Sequence, residues 1–131
     1  MIGLDSNVLV RHITQDDPVQ SPRASALIER RLTEEDPGFV SLVAITETAW
    51  VLERSYKFSN LQIAAAIERM LQTATFVVES ENEVFAAMTA LQEERASFAD
   101  ALIGALNRKA GCSVTLTFDQ AAARLPGFAL V

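Results

Sequence analysis

The chain has 131 residues and a formal net charge of −6, and half of its residues are apolar. This composition is typical of a globular protein and excludes an intrinsically disordered chain. The length suits one core of ordinary size, so we expect residues 1–131 to form a single domain. The negative charge argues against nucleic-acid binding through a generally basic surface, although the distribution of charge matters more than its sum.

Cysteine usage and hydropathy indicate the cellular environment. Cys112 is the only cysteine, which excludes an internal disulfide and fits a reducing compartment. We expect Cys112 to be a small buried apolar residue, because no His or second Cys lies near it in the sequence. No apolar run is long enough to span a bilayer, and a strand-like run follows Met1 directly, without a signal peptide. The sequence therefore predicts a cytoplasmic protein with no membrane partner.

Short β-branched runs alternate with longer helical patterns along the chain. In chain order, these patterns predict a buried strand at residues 2–4, a short helix at 8–13, a helix from 21 to about 32, a strand at 39–41, a helix at 42–57, a helix from about 60 to 71, a strand at 76–78, a helix opening at 80, a helix from 97 to 109, a strand at 113–118, a short helix at 120–123 and a last strand at 128–130.

Start and stop signals support these boundaries. Ser21 and Pro22 match an N-cap followed by a proline in the first turn, and Ser59 matches an N-cap as well. Ser80 with Glu83, and Ser97 with Asp100, match the capping-box pattern. Gly111 follows the helix that ends at residue 109, as a C-terminal glycine does.

The alternation of strands and helices predicts the fold class. Strands separated by helices need crossover connections, which produce a mainly parallel sheet covered on both faces. We therefore predict an α/β fold with three layers in the order α/β/α and a mainly parallel central sheet. In open sheets of this kind, functional sites form beyond the carboxyl ends of the strands.

Four acidic residues stand at the ends of predicted elements. Asp5 follows the first strand, Glu47 lies early in the helix after the second, Asp100 lies in the first turn of its helix, and Asp119 ends the fourth strand. If these positions share one edge of a parallel sheet, four carboxylates converge there. Like charges at close range need a counter-ion, and Mg²⁺ or Mn²⁺ prefers carboxylate oxygens. Such ions activate water and stabilise the leaving oxygen in phosphodiester hydrolysis.

Each acid also has a purely structural interpretation. Asp100 fits the acidic end of a capping box, and Asp119 fits an N-cap. Glu47 fits an exposed helical residue. Asp5 is the hardest to explain in this way, because a carboxylate directly after a buried strand is expected to be desolvated unless something binds it.

Small polar residues next to these acids are candidates for orienting them. Asn7 can orient Asp5 or cap the helix that follows, and Ser6 lies between the two. Thr117, two residues before Asp119 on the same strand face, can hydrogen-bond Asp5. Its alternative role is that of an ordinary strand threonine.

The residues around the four acids resemble those of PIN-domain nucleases. Residues 2–9 (IGLDSNVL) resemble the opening of these nucleases, and Glu47 before Trp50 resembles their second acidic motif. Residues 97–103 (SFADALI) and 116–119 (LTFD) resemble the third and fourth. Each motif is short, but the four together cover essentially the whole chain in the expected order and spacing.

Within that family, the size and pattern resemble the VapC-type toxins of bacterial toxin–antitoxin pairs. The resemblance implies an endoribonuclease that uses Mg²⁺ or Mn²⁺, with metal ligands at Asp5, Glu47 and Asp100 and a further acid at Asp119. It also implies homodimerisation and neutralisation by a small antitoxin protein. Many relatives carry a second Asp where this chain has Ser97, which puts a second tightly held ion in doubt.

Substrate and partner surfaces are less specific in the sequence. Basic residues are available to hold RNA around the acids, but most fit solvated helix faces: Arg11, Arg23, Arg30, Arg31, Arg54, Lys57, Arg108 and Lys109. An acidic site also suits an antitoxin segment that inserts an Arg or Lys. The region of Trp50, Tyr56, Phe58 and Ile63 is expected to be ordinary core, with a dimer or antitoxin groove as the alternative.

Three other classes of protein share some of these features. A phosphatase of the haloacid dehalogenase type needs a second acid two residues after the first, where this chain has Asn7. A phosphoacceptor receiver domain needs a lysine near its last strand, and no lysine follows Lys109. A non-catalytic PIN-like scaffold that binds a protein partner is the third alternative, because Ser97 replaces an acid. A test of metal binding distinguishes the two, because the nuclease needs a bound ion and the scaffold does not.

Overall fold

Short strands alternate with helices throughout the structure, a computed structural model that describes residues 1–131. The strands are β1 (Ile2–Gly3), β2 (Gly38–Val40), β3 (Phe76–Val78), β4 (Thr115–Thr117) and β5 (Phe128–Leu130). The helices are α1 (Ser6–Thr14), α2 (Gln20–Ala26, continued by a π-helical turn, Leu27–Arg31), α3 (Leu42–Tyr56), α4 (Asn60–Gln72), α5 (Glu81–Gln92) and α6 (Phe98–Lys109), with a 3₁₀ turn at Ala122–Arg124.

All strand pairs are parallel. β1, β2 and β3 form one sheet in that order, with Ile2 opposite Gly38 and Val40 opposite Val78. β4 and β5 form a second sheet, in which Leu116 lies opposite Ala129. The predicted fold class, a three-layer α/β/α arrangement with a parallel sheet, is confirmed, although its strands divide into two ladders. The carboxyl ends of β1, β2 and β3 therefore share one edge.

Several helix boundaries follow the predicted capping chemistry. Ser59 and Gln62 form a reciprocal capping box at the start of α4. Ser97 Oγ accepts a hydrogen bond from the backbone N–H of Asp100 (3.2 Å) at the start of α6. Gly111 has φ of +98° directly after α6, the left-handed conformation that glycine adopts without a Cβ penalty.

Two predicted caps are wrong. Ser21 is buried inside α2, which begins one residue earlier, and Asp17 instead accepts hydrogen bonds from the N–H groups of Val19 (2.9 Å) and Gln20 (2.7 Å). α5 does begin after Ser80, but Ser80 is left-handed (φ +50°) and makes no side-chain cap. Glu83 pairs with Lys109 (2.9 Å) rather than closing a capping box. At the start of α2 a neighbouring acceptor in the same segment replaces Ser21, and at α5 a tertiary ion pair engages Glu83.

The core is one continuous cluster to which most elements contribute. Leu9, Ile45, Leu52 and Ile67 are almost completely buried. The strand β4 does not follow this pattern, because Leu116 is 60% exposed and Phe118 just after it is 85% exposed. Cys112 is also exposed, so the prediction that it is buried was wrong. It lies in the turn after Gly111, where no element covers it.

A polar network joins α1, the following loop and α3. Arg11 donates to Tyr56 Oη (2.9 Å), and Tyr56 donates to Asp16 (2.7 Å). Thr14 also donates to Asp16 (2.8 Å). These hydrogen bonds, the one from Tyr56 foremost, lower the pKa of the Asp16 carboxyl below its usual value. The Arg11 guanidinium is therefore occupied by contacts that join α1 to α3.

Gly104 allows α6 to pack closely against the C-terminal sheet. A Cβ at this position would overlap the aromatic ring of Phe128 on β5. We expect Gly104→Ala to lower the free energy of unfolding, because overpacking costs about 1–3 kcal/mol and exceeds the gain in helix propensity of about 1 kcal/mol. Urea denaturation measures this change.

The double variant Gly104→Ala with Phe128→Leu is the control for that substitution. Leucine removes the ring atoms that the added methyl group would meet, so the cost of Gly104→Ala should be smaller in the Phe128→Leu background. Equal costs in the two backgrounds would show that the ring does not impose the glycine.

No helix of the structure is both long and apolar enough to cross a lipid bilayer.

Candidate active site

Asp5 lies two residues after the end of β1, at the carboxyl edge of the three-stranded sheet. Its side chain is the N-cap of α1 and accepts a hydrogen bond from the backbone N–H of Ser6 (2.8 Å). The expectation that Asp5 is desolvated was wrong, because β1 is short and only partly covered, and the Asp5 side chain is exposed. Its carboxylate is thus available to a ligand from solvent.

Ser6 brings two of the predicted acids together. Ser6 is buried, and its hydroxyl lies within hydrogen-bonding distance of both Asp5 (3.4 Å) and Glu47 on α3, the latter contact being the shorter. A hydroxyl has one hydrogen to donate, so it cannot satisfy both carboxylates at once. Two carboxylates from distant parts of the chain, on either side of a contact that spans 41 positions from Ser6 to Glu47, therefore meet at one buried serine.

Asp100 lies in the first turn of α6, which packs beside α3. The adjacent Ala99 and Glu47 line the same groove between these helices. Asp100 is half-buried, and its carboxylate accepts no hydrogen bond from the protein. The structural role proposed for Asp100 as the acid of a capping box is therefore not observed.

Asp119 is held in a different way. Its carboxylate caps the 3₁₀ turn by accepting from the N–H groups of Ala121 (2.8 Å) and Ala122 (3.2 Å). Thr117 Oγ1 accepts from the backbone N–H of Asp119 (3.0 Å) and makes no hydrogen bond to Asp5. β4 pairs only with β5, so no strand ladder ties Asp119 to the edge that carries Asp5.

The charges of these acids are unpaired within the protein. Asp5, Glu47, Asp100 and Asp119 form no ion pair, whereas Asp16, Asp36, Glu83 and Glu93 each do. No three acidic, His or Cys side chains are close enough together to enclose a metal ion. Asp5 and Glu47 nevertheless offer hard oxygen donors at one point, without a neutralising cation, and this donor set fits Mg²⁺ or Mn²⁺.

Asn7 and Glu79 complete the polar groups of this edge. Asn7 is exposed, and its carboxamide makes no hydrogen bond, so it does not orient Asp5 in this structure. Glu79 follows β3 as Asp5 follows β1, and it accepts from the N–H of Leu42 (2.8 Å) at the start of α3. The sequence interpretation omitted Glu79, although its position directly after a strand was a usable signal.

An apolar groove of about 560 Å³ opens between α3 and α6 beside Glu47. Trp50, which lines it, is 56% exposed and carries Arg54 over its ring (5.4 Å). Ile63, in contrast, is buried, and Tyr56 and Phe58 pack edge to face with ring centroids 6.5 Å apart. The aromatic region therefore divides: most of it is core, as expected, and Trp50 belongs to an open groove.

Comparison with known families gives a match over almost the whole chain. The family model described as "PIN domain" matches residues 2–127. Comparison with curated proteins gives no match. The matched range includes all four acids and the residues around them.

Proposed function

This chain belongs to the PIN-domain family, whose members are generally nucleases, and from that premise we propose that it is a metal-dependent endoribonuclease. The substrate is RNA, the cofactor is Mg²⁺ or Mn²⁺, and the protein acts in the cytoplasm as the VapC-type toxin of a bacterial toxin–antitoxin pair. One contact carries the proposal: Ser6, the first residue of α1, bonds Asp5 through its backbone N–H and Glu47 through its hydroxyl.

The proposed chemistry assigns a role to each residue. A bound divalent ion would supply an activated water and neutralise the charge that develops on the phosphate. Asp5 and Glu47 offer oxygens that can hold the ion, and the half-buried Asp100 is the third ligand in the proposal. Ser6 fixes the two carboxylates relative to each other, while Asp119, whose carboxylate caps its own turn, has no assigned contact with the ion. Asp5 keeps its N-cap bond through one oxygen, which leaves the other free.

The groove between α3 and α6 supports an antitoxin partner. Val43, Trp50 and Ile103 expose 79%, 56% and 49% of their surfaces there, next to the exposed acid Glu47. An antitoxin segment with apolar side chains and an Arg or Lys complements both features. Equal inhibition by an antitoxin fragment whose basic residues are replaced would rule out the charge-based part of this proposal.

Exposed apolar groups on the C-terminal sheet support a homodimer. Leu116, Phe118 and Leu130 lie largely in solvent, and β4 and β5 pair only with each other. Exposed apolar patches and unpaired strand edges are typical of surfaces that bind another protein chain. Sedimentation equilibrium at the 14.3 kDa monomer mass at every tested concentration would exclude the dimer.

Total cellular RNA is a suitable first substrate, because the cleaved sequence is unknown. Purified protein freed of antitoxin and incubated with Mn²⁺ should release discrete new RNA ends, which sequencing of 5′ termini detects. EDTA should remove that activity, because the proposed water activation needs the ion. New ends that persist undiminished in EDTA would overturn the metal-dependent mechanism.

A non-catalytic PIN-like scaffold is the second candidate. Two observations favour it: no three acids are grouped closely enough to enclose an ion, and the apolar groove fits a protein partner. A scaffold would give neither new RNA ends nor stabilisation by Mn²⁺, whereas the nuclease should give both.

A further inference from the structure

A small groove between α1 and α2 begins at Asn7, two residues after Asp5. It has a volume of about 270 Å³, and the residues that line it include Asn7, Arg11, Gln20 and Arg23. No carboxylate lines it, although the chain as a whole carries a net charge of −6. The two charged side chains that line the groove, Arg11 and Arg23, are therefore both basic.

The two arginines of this groove differ in their availability. Arg11 donates to Gln20 (2.8 Å) and to Tyr56 (2.9 Å), and it pairs with Asp16 (3.4 Å). Arg23 is exposed, and neither an ion pair nor a hydrogen bond engages its guanidinium. A free guanidinium offers five N–H donors in a fixed fork, which matches two phosphate oxygens.

The remaining polar groups of the groove are also donors. Gln20 accepts from Arg11 through its carbonyl oxygen, so its amide N–H₂ group is left for a ligand. The Asn7 carboxamide has no partner in the protein. A groove rich in unused donors and without carboxylates selects an anion with many acceptor oxygens.

On this basis we propose that the α1–α2 groove holds the phosphodiester backbone of single-stranded RNA that leads to the acidic edge, and that Arg23 contacts a phosphate there. The groove, at about 270 Å³, lies at the lower limit of the volumes of pockets that enclose a small molecule, about 300–1,000 Å³. A polymer crossing the surface therefore fits better than a free nucleotide. The inference rests on the proposed ribonuclease function.

Binding measured in EDTA tests this assignment without any cleavage. The probe is a fluorescein-labelled 20-nucleotide single-stranded RNA of mixed sequence, and fluorescence anisotropy gives its Kd. Arg23→Ala should raise the Kd by about tenfold, the effect of losing a charged hydrogen bond. The slope of log Kd against log salt should fall by about 0.7, the value for one lost contact to single-stranded phosphate.

Arg30→Ala is the matched control. Arg30 follows on the π-helical continuation of α2, is exposed, forms no ion pair and lies outside the groove. Both substitutions make the net charge more negative by one unit, so they change the long-range interaction with RNA equally. Arg30→Ala should change the Kd by less than about twofold. Arg23→Lys should be intermediate, because an ammonium keeps the charge but loses the fork.

Three results would overturn the inference. These are equal effects of Arg23→Ala and Arg30→Ala, an unchanged Kd for Arg23→Ala, and absence of RNA binding by the wild-type protein. Poly-glutamate that binds the wild type but not Arg23→Ala, while RNA binds neither, would assign the groove to an acidic protein segment instead. If Arg23→Ala weakens RNA binding as expected but total RNA shows no new ends with Mn²⁺, the proposed function fails and the groove assignment stands.

Discussion

Replacing Asp5 with Asn should lower Mn²⁺-dependent RNA cleavage by about a hundredfold or more, while the protein stays folded. Groups that only orient metal ligands are worth about 10–100-fold in affinity or activity, so a ligand that binds the ion directly should be worth at least as much. Asparagine is the correct substitution because it can still cap α1 by accepting from Ser6 N–H. The rate of appearance of new RNA ends measures the loss.

Asp17→Asn is the matched control for Asp5→Asn. Asp17 also accepts backbone N–H groups at a helix start, but it lies outside the candidate site. Its substitution should leave cleavage close to the wild-type rate, and circular dichroism should show the same fold for both variants. A folded Asp5→Asn protein with full metal-dependent activity would contradict the assignment of Asp5.

Mn²⁺ should raise the melting temperature of the wild-type protein by about 10 °C when its concentration is a hundred times the Kd. A ligand that binds only the folded state then contributes about 2.7 kcal/mol, and each kcal/mol shifts the Tm of a domain of this size by about 4 °C. Asp100→Asn should show a much smaller shift, because it replaces a proposed ligand. Differential scanning fluorimetry of antitoxin-free protein with EDTA or Mn²⁺ measures both.

The same melts in EDTA distinguish a metal ligand from a helix cap. The Asp100 carboxylate accepts no hydrogen bond, and only its backbone N–H bonds to Ser97. Asp100→Asn should therefore be at least as stable as the wild type in EDTA, with less repulsion between carboxylates. Asp119→Asn should keep its turn cap and most of the Mn²⁺ response. A weaker Asp100→Asn protein in EDTA, with no Mn²⁺ response in either protein, would favour the scaffold.

The α/β fold class and most element positions could be predicted because local signals agree with one another. Ser59, Ser97 and Gly111 act at helix ends as their chemistry requires. The prediction failed where one segment offered several acceptors, as at Ser21, where Asp17 holds the helix start instead. Exposure was also mispredicted for Cys112, because a turn position depends on what packs over it and not on residue type.

The sequence by itself determined that four acidic residues stand at the ends of helices and strands, because periodicity and capping are local properties. It also determined that the strands are parallel, because helices separate them along the chain. Only the tertiary structure decided which acids meet. Ser6 joins Asp5 to Glu47, since α3 packs against α1, whereas Asp119 caps its own turn beyond a sheet that pairs separately. It also decided that Arg11 is committed to Tyr56 and Asp16 while Arg23 is free, because ion pairing depends on neighbours distant in the chain.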